Sequence, residues 1–419
     1  MTKKALVLSG GGARGAYQLG VWQALREVGW DFSIVTGASI GALNSALIAM
    51  DDYEKLEHLW YNMTPNNVIK TTETDPKKVY LQMIRDLAKG GSDTSPLYNF
   101  VSTVVDEQKV RNSKIRVGIS TVELPTLKLL QLPIEQIPQG KLADFLVASA
   151  TVFPFFKAKH IDDKNYADGG YGDNMPMNLA IAMGAEEIIA VQIFNSRIRK
   201  LTKKIPITLI IPSRYLGPFL LFDNKSVHQN KMFGYNDTLK FLNYREGEYY
   251  TFFHGELSLN SNELQKKYKR VEAVIAKTQE EIVGSLSLKF TNYLLSRKTK
   301  SKFNKKYSTS LASFILGLET TGRLFELDDL ISYSLYEYNF LLKSKAQKMI
   351  NENLTFLVKE HNELELMANR NKALVALYLH YKIRELLNGK STNNSLIIKL
   401  LTDLDVARAA IYLTVILHE

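Results

Sequence analysis

The first half of the chain alternates short apolar runs with glycine-rich breaks and helical stretches. Ala5-Leu6-Val7-Leu8 is a continuous apolar run, the pattern of a strand buried on both faces. Ser9-Gly10-Gly11-Gly12-Ala13-Arg14-Gly15 follows, and residues 16–28 then repeat at helical spacing. The same unit recurs at once. A mostly apolar run at 32–35 leads into Thr36-Gly37-Ala38-Ser39-Ile40-Gly41, and a small-residue helical run covers 42–50. Strand, glycine loop and helix, twice in succession, predict an α/β fold with a mostly parallel, doubly wound sheet and helices on both faces.

Residues 51–107 read as mostly helical, with apolar spacing at 53–61, 76–87 and 97–105 and a break at Lys89-Gly90-Gly91. An insertion of this kind beside the second glycine loop suits a lid or a substrate groove. Trp60 and Tyr61 read as core. Strands are expected at 115–120 and 127–132, joined by a turn at Leu124-Pro125. A helix at 142–150 precedes the aromatic cluster Phe153-Pro154-Phe155-Phe156, which serves either the core or an acyl-chain pocket. A short strand ends at Asp168. A helix at 179–183, strands at 187–194 and 207–211, a helix at 227–242 and the segment 249–253 close this part.

Near residue 256 the pattern changes. Glycine and proline become scarce, strand signals cease, and 264–283, 287–296, 311–325, 330–352, 360–387 and 395–417 all suit helices. The expected organisation is a first domain over 1–255 and an all-helical region over 256–419. No family signature is read in that region; the roles expected of it are covering the site, regulating it, forming a homodimer or binding an activating partner.

Composition bounds the chemistry. The chain has 419 residues, 45% hydrophobic and 23% charged, with no cysteine. Disulfides, thiolate metal sites and cysteine nucleophiles are excluded together, which fits a reducing, cytoplasmic setting. The apolar run after Met1-Thr2-Lys3-Lys4 is too short for a signal-peptide core, and no run of about 18 apolar residues exists to span a membrane. The formal net charge is +10, suited to an anionic partner. No nucleic-acid-binding signature accompanies it, so nucleic acid is not expected. Arg197, Arg199, Lys200, Lys203 and Lys204 form one basic stretch, ordinarily solvated surface. Arg297, Lys298, Lys300, Lys302, Lys305 and Lys306 form another, either a solvated loop or a peripheral contact with an anionic membrane worth roughly 1 kcal/mol per charge.

Gly37-Ala38-Ser39-Ile40-Gly41 has the form G-x-S-x-G between a strand and a helix. A sharp turn there lifts a serine hydroxyl clear of the sheet, with Gly37 and Gly41 permitting close backbone passage. Ser39 is therefore a candidate nucleophile; otherwise it merely caps the helix. The loop Gly10, Gly11, Gly12, Ala13, Arg14, Gly15 offers backbone N–H groups for an oxyanion, Gly11, Gly12 and Ala13 above all, and Arg14 adds charge or forms a structural ion pair. The same loop satisfies G-x-G-x-x-G, but a dinucleotide site wants an acid at the end of the second strand, and that strand ends Val35-Thr36-Gly37. Asp168, followed by Gly169 and Gly170, is a base if it reaches Ser39 and otherwise a turn residue. A histidine-dependent triad needs His228 or His254, and neither lies in a glycine-rich loop. No calcium loop or histidine ligand pair is present, so neither metal nor cofactor is expected.

The glycine loop after the first strand, the Gly37-to-Gly41 turn after the next and Asp168-Gly169-Gly170 downstream, with Asn174 and Pro176 after it, resemble the three ordered signatures of patatin-like phospholipases. The resemblance covers roughly 1–255. It implies a three-layer α/β/α fold, a Ser39–Asp168 dyad, and an oxyanion hole in the Gly10–Gly15 loop. It further implies hydrolysis of acyl esters of membrane phospholipids, galactolipids, lysophospholipids or simple esters through an acyl-enzyme. The competing expectation is a catalytically silent lipid- or protein-binding module on the same fold.

Overall fold

The computed structural model describes residues 2–73, 75–220, 222–283, 307–361, 363–390 and 403–417. The chain divides into two compact units, Met1–Leu242 and Asn243–Glu419.

The first unit is built on an eight-stranded sheet: β1 (Lys4–Leu8), β2 (Ile34–Ala38), β3 (Arg116–Leu124), β4 (Lys128–Pro133), β5 (Lys159–Ile161), β6 (Lys164–Asp168), β7 (Glu187–Val191) and β8 (Ile207–Ile210). Their order is β5-β6-β3-β2-β1-β7-β8, with β4 also paired to β3. The run β3-β2-β1-β7-β8 is parallel throughout. β4, β5 and β6 are joined antiparallel at the β3 end.

Alternation along β1 shows why the sheet carries helices on both faces. Leu6 and Leu8 enter one buried cluster with Leu19, Leu43 and Leu146, from the helices Ala16–Glu27, Ile40–Ala49 and Leu142–Ser149. Ala5 and Val7 point the other way, into a second cluster with Met177, Leu179 and Ala180 of the helix Met177–Ala182. Successive side chains of a strand face opposite sides, so a strand apolar at every position must be covered twice. The three-layer α/β/α arrangement follows.

The second unit is mainly helical, with Asn262–Val283, Thr309–Leu324, Leu335–Glu352, Lys372–Leu387 and Leu404–Ile416 as its long helices. It also holds a three-stranded ladder of Arg245–Glu246, Thr251–Phe253 and Ser332–Tyr333, so the expectation that strands cease near residue 256 is corrected at Ser332–Tyr333. Strands of two or three residues leave no periodic signal. Buried carboxylates hold them: Glu319 Oε1 accepts the N–H groups of Glu248, Tyr249 and Tyr250, and Glu246 accepts those of Leu257 and Ser258. The helix expected from 330 starts only at Leu335, where Ser334 and Glu337 form a capping box. The stretch expected at 360–387 is broken, with Asn371 capping a new helix. The helix expected at 287–296, the basic cluster from Arg297 to Lys306 and the first residues of the helix expected from 395 lie outside the described residues. No described helix is long and apolar enough to cross a membrane.

Candidate active site

Strand β3 acts as a ruler for the site. One of its edges carries β4 along Gly118–Glu123. Its other edge carries β2 up to the pair Ala38↔Ser120, and then β6 from the pair Asp168↔Thr121 onward. β2 and β6 therefore approach end to end along the same edge. The residue leaving β2 is Ser39 and the residue ending β6 is Asp168, so register alone brings them together.

Ser39 sits in the turn from β2 into the helix Ile40–Ala49 with φ 54 and ψ −128, a conformation that a non-glycine residue holds only under constraint. Its side chain makes no capping hydrogen bond, so it does not serve as a helix cap. The backbone passes so tightly that a Cβ on Gly41 would lie 2.3 Å from the Leu8 carbonyl oxygen. Ser39 N–H donates to Ser149 Oγ at 2.9 Å, and Ser149 Oγ donates to Ser120 O at 2.7 Å. The carbonyl of Ser149 accepts Gly169 N–H at 3.2 Å, and Asp168 N–H donates to Thr151 O at 2.7 Å. The end of one helix thus fastens both the serine turn and the aspartate turn.

Asp168 is buried, and Oδ1 accepts Gly170 N–H at 2.7 Å. Oδ2 has no hydrogen bond of full geometry. Burial pushes the carboxyl up to about 6, while the nearby Ser39 hydroxyl and the Gly170 N–H oppose the rise. Asp173, in the same turn, is also pushed up to about 6 by burial, against the pull of Met175 N–H, Arg199 and Gln131.

The glycine loop lies against Ser39: a Cβ on Gly10 would come within 2.8 Å of Ser39 Cβ. Gly12 has φ +60, and a Cβ there would meet Phe219 O at 2.2 Å, so only glycine fits. At least three of the six loop residues, Gly10, Ala13 and Arg14, have their N–H groups already engaged. Gly10 N–H donates to Asn174 Oδ1 at 3.2 Å, and Ala13 N–H donates to Phe219 O at 2.7 Å. Ala13 is therefore not a free donor, and the expectation that it would be is revised. Arg14 N–H points back to Gly11 O at 3.4 Å. Among the described residues the Arg14 guanidinium forms no ion pair, and Arg14 does not line the cleft. It donates to Gly217 O at 2.8 Å and lies over the rings of Phe194 and Tyr215. Gly15 packs against Ile40 and Trp60, and its carbonyl accepts from Asn44. Among the described residues, the N–H groups of Gly11, Gly12 and Ile40 make no hydrogen bond within the protein. Gly11, Gly12 and Ile40 all border the cleft.

That cleft has a volume of 430 Å³ and contains Ser39 and Asp168 at its floor. Its walls are apolar: Leu43, Met63, Val68 and Leu97, then Val152, Phe155 and Phe156, then Phe219, Leu220 and Phe222. Met63, Val68 and Leu97 come from the insertion after the serine helix. Phe155 and Phe156 of the aromatic cluster line the cleft, while Phe156 is also core. Gly37, Gly41 and Gly169 sit behind it, with a Cβ on Gly169 meeting Ser120 O at 2.1 Å. Gly170 borders it. Among the described residues no histidine does; His228 pairs with Tyr61, and His254 belongs to the second unit. Among the described residues no cluster of His, Asp and Glu is arranged to hold a metal ion.

Sequence reasoning missed the side chains that hold these turns from a distance. Asn174 joins Gly10 N–H to Ser196 Oγ; Gln18 Nε2 donates to Ser9 O at 2.7 Å, and Gln18 Oε1 accepts from Asn44 Nδ2 at 2.8 Å. Only Asn174 gave a sequence signal, as part of the pattern after Asp168.

A strained serine turn, a buried aspartate and a glycine loop thus border one apolar cleft on a three-layer α/β/α unit. Residues 6–181, within the first unit, match the family model described as "Patatin-like phospholipase". The chain is 28% identical over 193 residues to patatin-like phospholipase domain-containing protein 7 of Mus musculus, a match covering 45% of this chain and 13% of that protein. It is 27% identical to lysophospholipase NTE1 of Mycosarcoma maydis, over 45% of this chain and 9% of that one. An uncharacterized NTE family protein of Mycobacterium bovis is 26% identical, over 46% of this chain and 49% of its own length. The matches thus span about half or less of these relatives.

Proposed function

We propose that the first unit is a serine lipid acyl hydrolase of the phospholipase A or lysophospholipase type, working through a Ser39–Asp168 dyad. The observation that carries this reading is the end-to-end meeting of β2 and β6 along β3, which sets a strained serine beside a buried, otherwise unpaired carboxylate oxygen. The family match supports lipid acyl esters as the substrate class. The name of the fungal relative, a lysophospholipase, points the same way.

In this reading the acyl chain lies in the apolar cleft with its ester carbonyl at Ser39. Ser39 Oγ attacks the carbonyl carbon as its proton passes to Asp168. The oxyanion is held by the N–H groups of Gly11 and Gly12, with Ile40 N–H as a third donor at the start of the serine helix. Collapse expels the alcohol, which takes the proton from Asp168, and leaves an acyl-enzyme. Water, deprotonated by Asp168, then releases the fatty acid and restores Ser39. Asp168 suits a base that operates near neutral pH, because burial lifts its pKa to about 6.

The test is fatty-acid release from mixed phospholipid vesicles by wild type, Ser39→Ala and Asp168→Asn. The expected result is loss of at least about a thousandfold in each variant. A wild type that neither releases fatty acid nor reacts at Ser39 with a fluorophosphonate would replace this reading with that of a binding module.

A further inference from the structure

The loop after β7 builds a second recess beside the cleft. It has a volume of 490 Å³ and shares Gly170, Tyr171, Asn174 and Ser196 with the cleft wall. Its remaining charged lining is Arg197, Arg199 and Lys200. The two hollows differ in chemistry: one is walled by leucine, valine and phenylalanine, the other by three cations.

The loop is held in place by its backbone. Gln192 Nε2 donates to Ser196 O at 2.9 Å, and Asn178 Nδ2 donates to Lys200 O at 2.9 Å. Arg199 donates to Gly172 O at 2.7 Å, tying the loop to the aspartate turn. Arg197 and Lys200 are exposed, and among the described residues neither side chain is paired with a carboxylate. The carboxylate felt by Arg199 is Asp173, which is buried and bonded to Gln131. An anchored loop carrying unanswered cations is preorganised for an anion.

Resting on the hydrolase reading above, we infer that this recess is the subsite for a phosphate group joined to the acyl ester, with Arg197 and Lys200 as its binding residues. A molecule with an apolar chain, an ester and a phosphate in that order fills both hollows across the Gly170–Asn174 turn. An uncharged acylglycerol fills the cleft and leaves the cations solvated. Guanidinium and ammonium groups bind phosphate oxygens through charge-assisted hydrogen bonds.

The experiment uses the full chain with dihexanoyl phosphatidic acid and dihexanoylglycerol, both below their aggregation limits so that no lipid surface is present. The ratio of kcat/KM for the two esters is measured in wild type and in an Arg197→Ala/Lys200→Ala variant whose melting curve is unchanged. The Ser39→Ala protein is titrated with the same two compounds, giving their dissociation constants without turnover. The expected result is a preference for the phosphate-bearing ester that falls at least about tenfold in the double variant. An unchanged ratio, or an equal fall for both esters, overturns the subsite. Inorganic phosphate that inhibits both esters alike shows a free-anion site and also overturns it. Absence of turnover and of Ser39 labelling by a fluorophosphonate, together with phosphate-dependent binding by Ser39→Ala that is lost when Arg197 and Lys200 are also replaced, keeps the subsite and removes the hydrolase reading.

Discussion

The hydroxyl of Ser149 accepts the backbone N–H of Ser39 at 2.9 Å and donates its own proton to Ser120 O at 2.7 Å. A single side chain thereby sets the serine turn against the strand that also sets the aspartate. Ser149→Ala leaves a buried donor and a buried acceptor without partners, at a cost of about 1–3 kcal/mol. The expected outcome is a lower melting temperature and a fall in kcat with little change in KM, read from thermal melts and steady-state hydrolysis.

The acid limb of activity should report Asp168. The carboxyl must be ionised to accept the Ser39 proton, and its pKa stands at about 6. The slope of log kcat/KM against pH should approach one below about pH 6 and flatten above it. A limb centred near 4, the range of an ordinary carboxyl, would show that Asp168 is not the titrating base.

The same shift has a thermodynamic sign. The folded pKa of Asp168, about 6, lies above the ordinary aspartate value of 3.8, so between these limits the native state binds more protons than the unfolded chain. The stability contributed by this group is full below about pH 4 and is lost as pH rises through 6. Asp168→Asn removes the buried charge and keeps an acceptor for Gly170 N–H. It should therefore gain roughly 1–3 kcal/mol at pH 8 and little at pH 4, while abolishing turnover. Denaturant melts of both proteins at the two pH values check the sign.

Gly12 should tolerate no side chain. Its φ is +60, and Phe219 O lies 2.2 Å from where a Cβ would stand, so alanine at this position forces the loop to move. Gly12→Ala should cost about 1–3 kcal/mol and slow the labelling of Ser39 by a fluorophosphonate, since the loop N–H groups leave their positions. Labelling at the wild-type rate would dissociate the loop from the chemistry at Ser39.

How much of this was legible in the sequence depends on the range of the interactions. β1, the Gly10–Gly15 loop and the turn at Ser39 are local: an apolar run, small residues and a new helical period lie within a few positions of one another. The doubly wound order of the sheet follows from repetition of that unit. The loss of Ala13 as a donor was not legible, because its partner is the carbonyl of Phe219, far along the chain. Ser149, Gln18 and Asn44 read as ordinary helix residues, and only the assembled fold turns them toward Ser39 and Ser9. The ladder in the second unit escaped because its strands are too short for a period and are held by the buried Glu246 and Glu319.

The abutment of β2 and β6 along one edge of β3 bears on how the chain reaches its working state. β1, β2 and β3 can pair early in synthesis and present the serine turn with no acid beside it. The carboxylate arrives only when the β5–β6 hairpin, encoded much later, docks onto the vacant end of that edge. Both contacts on that edge, Ala38 with Ser120 and Thr121 with Asp168, close long loops and form slowly compared with helices. On the proposed reading, hydrolytic competence would then appear after helical signal has recovered, so turnover becomes a clock for the meeting of β2 and β6.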